Sequence, residues 1–100
     1  MASYTNGTVV RCVMLFYSDA AKTTLADPTT VLFRSLSPHN VVVAYTYLTH
    51  AQLVKDATGT YHVDVTTDDV GEWRYSFKGT GAVAVVEESS FVATPSVFDI

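Results

Sequence analysis

Three histidines, ten acidic residues and a single cysteine are the candidates for chemistry in this chain. His62 and Asp64 stand two positions apart, so on a strand they share a face, and His50 can sit on a neighbouring strand. A zinc centre needs three or four converging ligands. The spacing of His39, His50 and His62 does not specify convergence, and exposed polar positions explain all three. Asp68, Asp69 and Glu72 lie close in sequence, but calcium demands six or more oxygens from a suitable loop. Asp69 reads instead as a brace for a turn. Glu87 and Glu88 are adjacent, so on a strand they point to opposite faces and cannot serve as acid and base across one substrate. Gly79-Thr80-Gly81 lacks the Walker lysine and the following helix of a phosphate loop, and a hairpin turn accounts for it. No serine or threonine stands in a strand–turn–helix elbow. Cys12, within the apolar run Val9–Phe16, reads as a small buried hydrophobe that forms no internal disulfide. The residues therefore predict no catalytic group, no cofactor and no metal ligand.

Elements must supply the rest of the function, and composition bounds them. Hydrophobic residues make up 48% of the 100-residue chain and charged residues 16%, against an ordinary charged fraction of about 25%. One domain spanning residues 1–100 is expected, with a single core and a bland surface suited to packing against neighbours. The net charge is −4, and the six basic residues are scattered. Such a surface neutralises no run of phosphates and is poorly matched to anionic membranes, so neither nucleic acid nor membrane is an expected partner. The apolar runs are too short for a transmembrane helix. Residues 1–7 lack the basic start and apolar stretch of a secretory signal, which points to synthesis in a reducing cytoplasm.

Strand signals dominate. No window carries a sustained helical stripe, whereas runs rich in Val, Thr, Tyr and Phe recur between turn residues. Seven strands are expected: residues 8–17, 30–36, 41–48, 53–55, 61–65, 72–78 and 83–92. The sixth alternates cleanly, with Trp73, Tyr75 and Phe77 on one face and Glu72, Arg74, Ser76 and Lys78 on the other, as a half-buried antiparallel strand requires. Trp73, Tyr75, Phe77, Phe91, Phe16, Met14 and Val63 are the expected core. Glu87-Glu88-Ser89-Ser90 interrupts the seventh run, and a bulge or a crossing between sheets is expected there. Residues 1–7 read as a polar N-terminal arm. Residues 94–100 read as a C-terminal arm in which Pro95 ends pairing and Val97, Phe98 and Ile100 need a place to bury.

The stretch Asp69-Val70-Gly71-Glu72-Trp73-Arg74-Tyr75 resembles the corner before the sixth strand of immunoglobulin-like domains, where the pattern reads Asp-x-Gly-x-Tyr-x-Cys. Trp73 stands at the tyrosine position and Tyr75 at the cysteine position. The resemblance implies a structural corner built on Asp69, Gly71, Trp73 and Tyr75, with no inter-sheet disulfide. A wider likeness runs through Asp27-Pro28-Thr29-Thr30-Val31, Thr58–Val65, Lys78–Ala82 and Glu87–Val92. Together these are similar to small immunoglobulin-like proteins encoded among the structural genes of tailed bacteriophages. The expected fold is thus all-β, an immunoglobulin-like antiparallel β-sandwich of about seven strands.

The function this implies is a non-enzymatic component of the virion, foremost a capsid decoration or accessory protein. Its expected partners are other virion proteins, the major capsid protein or neck and tail proteins, with self-association also open. A neck, tail or baseplate component is the alternative in the same class. A module that binds host-surface glycans through exposed Tyr4, Tyr45 or Tyr47 is the alternative in another. Val97, Phe98 and Ile100 are the expected partner-binding residues.

Overall fold

The computed structural model describes residues 2–81 and 83–98. Eight strands form two sheets, and there is no helix among the described residues. They are β1 (Ala2–Thr5), β2 (Val9–Leu15), β3 (Thr30–Leu36), β4 (Val42–Thr46), β5 (Leu53–Ala57), β6 (Thr60–Thr66), β7 (Gly71–Thr80) and β8 (Val85–Thr94). One sheet has the order β1-β8-β7-β3-β4 and the other β2-β6-β5. This is the strand arrangement of an immunoglobulin-like sandwich with an added edge strand beside its third strand.

Alternation builds the core. On β2, Val10, Cys12 and Met14 face inward, and Phe16 follows them; on β6, Tyr61, Val63 and Val65 do the same. Val31 and Phe33 of β3, Trp73 and Phe77 of β7, and Phe91 and Ala93 of β8 close the core from the larger sheet. Aromatic pairs tie neighbouring strands within each sheet: Phe33 meets Phe77 at 5.0 Å, Phe16 meets Tyr61 edge-on at 5.6 Å, and Trp73 stacks on Phe91 at 6.1 Å. Six of the seven expected core residues are buried. Tyr75 is only half-buried, because its register neighbours Ser35 and Ser89 are too small to cover it.

Two expectations change. Residues 2–5 are not a free arm: β1 pairs parallel with Phe91–Thr94 of β8, so the sheet is not wholly antiparallel and the strand count rises to eight. The Ala-Ser-Tyr-Thr run is too short to read as a strand on its own, but Tyr4 packs edge-on against Phe91 at 5.7 Å and the Asn6 N–H donates to Thr94 O. Nor does β8 bulge at Glu87–Ser90. It pairs with β7 in unbroken register from Val85 to Ala93. β1 covers only its last four residues, so the acidic half lies at an open rim where Glu87 and Glu88 reach solvent, and Thr94 belongs to the strand rather than to the arm.

Candidate interaction surfaces

The corner holds together through a different bond from the one its motif suggests. The Trp73 Nε1–H donates to the backbone carbonyl of Asp69 at 3.0 Å. A tyrosine hydroxyl makes the equivalent reach back along the chain in immunoglobulin-like corners. The Asp69 carboxylate meets His39 Nδ1 at 3.0 Å. Gly71 has φ +135°, and a Cβ there would lie 2.9 Å from Pro38 Cβ, so the turn needs glycine for both conformation and space. Asp69, Gly71 and Trp73 are thus joined in one brace, while Tyr75 sits two residues on, stacked on Phe33 at 6.1 Å.

The histidines go to three separate places. His39 is at the corner, and His50 Nδ1 accepts the Thr46 N–H at 3.0 Å. His62, on the outer face of β6 between Val13 and Val54, is buried with its Nδ1 2.6 Å from Asp56 Oδ2. Asp64 is engaged elsewhere, accepting the Arg11 guanidinium through both oxygens at 2.9 and 3.1 Å. Among the described residues no three His, Cys, Asp or Glu side chains gather as a metal site. Cys12 is buried and unpaired, and burial together with the charge of Asp64 pushes its thiol up to about 12.

Asp27 is a junction that its place before Pro28 did not reveal. It accepts Lys55 Nζ at 2.7 Å, the Gly59 N–H at 2.7 Å and the Tyr61 hydroxyl at 3.1 Å. Its partners lie 28 to 34 positions away, so only the folded chain joins the loop before β3 to the β5–β6 hairpin. The Lys55 ammonium and the Gly59 amide hold the Asp27 carboxyl below the usual 3.8, and Arg11 does the same for Asp64. A carboxyl lowered in the fold contributes stability above its unfolded value, and that contribution is lost as pH falls through the folded value. The thermal midpoint is therefore expected to stay level from neutrality to about pH 5 and to drop below it. Asp27→Asn should lower the neutral midpoint and flatten the acid limb. Both carboxylates are more than a third exposed, so each pair adds little by itself. A wild-type midpoint unchanged down to pH 3 would contradict the assignment.

An open hollow of about 580 Å³ lies on the outer face of the five-stranded sheet. Arg34, Leu36, Val42, Arg74, Glu88 and Ser90 line it. Arg74 is already held by Glu72 at 2.8 Å. The three tyrosines of the glycan expectation do not form an exposed platform. Tyr4, Tyr45 and Tyr47 are half-buried and pack on Phe91, Phe33 and Tyr61 respectively.

The arm after β8 is different. Val97 and Phe98 are 84% and 88% exposed, with no fold-back onto the sandwich. Ile100, the third expected partner-binding residue, lies outside the described residues. The chain matches no protein-family model, and no curated protein or solved structure matches it.

Proposed function

We propose that this domain is a non-enzymatic structural protein of a tailed-phage particle, a decoration or accessory subunit attached to the capsid. The observation that carries the reading is the exposed arm. An aromatic and a β-branched side chain in water, past a proline that ends strand pairing, form an anchor without a socket. Burying such side chains is favourable by roughly 1.5–3 kcal/mol each before ordering is subtracted. The resemblance to phage immunoglobulin-like proteins supplies the setting, and the partner is then another virion protein with an apolar slot.

Deletion of residues 96–100 tests the anchor. The truncated protein should keep its thermal midpoint in isolation, because Val97 and Phe98 touch little of the sandwich, and should fail to join particles assembled without it. Full incorporation of the truncated form would refute anchoring, and a lowered midpoint would mean that the arm serves its own fold. Copy number per particle, measured by mass spectrometry, separates the positions: many copies for a capsid decoration, few for a neck or baseplate part.

A further inference from the structure

Each sheet of the sandwich ends in two edge strands, and three of the four are short or protected. β1 has four residues. On β4, the Thr46 N–H is taken by His50 Nδ1, and the Thr46 carbonyl accepts from Thr49 and His50. β5 carries Lys55 and Asp56 and a register shift between Lys55 and Ala57. Charges, bulges and brevity are the devices that keep an edge from pairing with another chain.

β2 is neither short nor bulged. It runs seven residues without proline, glycine or bulge, in unbroken register with β6. The Thr67 N–H donates to Thr8 O and the Phe16 N–H to Gly59 O. In an antiparallel ladder the bonded pairs alternate, so Val10, Cys12 and Met14, between the Thr8 carbonyl and the Phe16 N–H, direct their backbone groups to β6. Val9, Arg11, Val13 and Leu15 direct theirs away from it, where none of the described strands lies. The side chains of Val9, Val13 and Leu15 are 56%, 50% and 42% exposed on the outer face. The one charge along the edge, Arg11, is neutralised by the two-point bond to Asp64.

We propose that β2 is a homodimer interface, in which two copies pair this strand antiparallel, edge to edge, about a two-fold axis at Cys12. The occupant follows from the strand's own pattern. With the axis at Cys12, Val9 pairs with Leu15 and Arg11 with Val13 of the second copy, and every outward N–H and C=O of both strands is bonded. Shifting the axis to Arg11 sets the two arginines directly opposite each other, an arrangement that costs stability. Shifting it to Val13 leaves Val9 unpaired. The Cys12 register is therefore self-complementary, as an isologous contact requires. It joins the two three-stranded sheets into one and brings Val9, Val13 and Leu15 of both strands together on its outer face. This pairing is independent of the anchoring proposed for the arm.

The test is sedimentation equilibrium of the intact protein over a range of concentrations. The wild type should form dimers. Val13 is half-exposed and its amide is not used by β6, so its variants keep the sandwich, as far-UV circular dichroism would verify. V13P removes an outward donor and should be monomeric throughout. V13K places an ammonium opposite Arg11 of the second copy and should weaken the dimer roughly tenfold, whereas V13E places a carboxylate there and should leave it at least as tight. A monomeric wild type, or a dimer indifferent to all three changes, would overturn the proposal. Equal weakening by V13K and V13E would overturn the register.

Discussion

Replacing Trp73 with alanine is expected to lower the unfolding free energy by about 3–5 kcal/mol, the usual result of emptying a large aromatic from a core. Trp73 is buried, stacks on Phe91 at 6.1 Å with the rings nearly parallel, and ties the corner through its indole N–H to Asp69 O. Alanine removes the packing and the tie together. A domain of this size has roughly 5–15 kcal/mol of total stability, so the loss is a large share of it. Trp73→Phe separates the two contributions. Phenylalanine keeps most of the stack and loses the indole donor, and a lost hydrogen bond costs about 1 kcal/mol. Trp73 is the sole tryptophan, so the denaturation midpoint must be followed by far-UV circular dichroism rather than by indole fluorescence. A midpoint unchanged in Trp73→Ala would show that the corner is not braced from this residue.

Gly59→Ala should be nearly as damaging, although the change adds a single methyl group. Gly59 has φ +68°, a left-handed conformation that costs an L-residue roughly 1–2 kcal/mol. The added Cβ would lie 2.7 Å from Phe16 O and 2.9 Å from Ala26 N. Both obstacles are backbone, and both belong to a bonded junction: the Phe16 N–H donates to Gly59 O, the Ala26 N–H to Phe16 O, and the Gly59 N–H to Asp27. The methyl cannot be relieved by turning a side chain, so the strand end, the loop before β3 and the hairpin must move apart. A loss of about 3 kcal/mol or more is expected, which places the substitution among severe backbone effects. Gly7→Ala is the control, since a Cβ at Gly7, also at positive φ, meets nothing within 4 Å. Its cost should be confined to the backbone preference. Equal midpoints for the two variants in urea would show that crowding at Gly59 is relieved.

What the residues decided without help is the inward face of β2 and of β7 and the place of the corner. Trp73 and Phe77 alternate with Glu72, Arg74, Ser76 and Lys78, Arg11 marks which face of β2 must look outward from Val10, Cys12 and Met14, and a period of two is a local property that burial of one face must respect. Asp69-x-Gly71-x-Trp73 is local in the same sense, since its glycine conformation and its indole bond span four positions. What only the tertiary structure decided depends on partners far along the chain. Strand β1 exists because β8 lies beside it, although its own residues are polar. β8 stays regular through Glu87 and Glu88 because the larger sheet overhangs there and the carboxylates find water. The histidines, which the sequence allowed to converge, are drawn to Asp69, Thr46 and Asp56 in three different places. Tyr4, Tyr45 and Tyr47 turn to the core because each has an aromatic ring within reach. The same long-range pairing leaves the β2 edge and the arm at Val97 and Phe98 open, since strand order and the direction of exit from β8 are set by which segments meet. Alternation specifies what each strand buries, whereas which edges remain unpaired is a property of the assembled sheets.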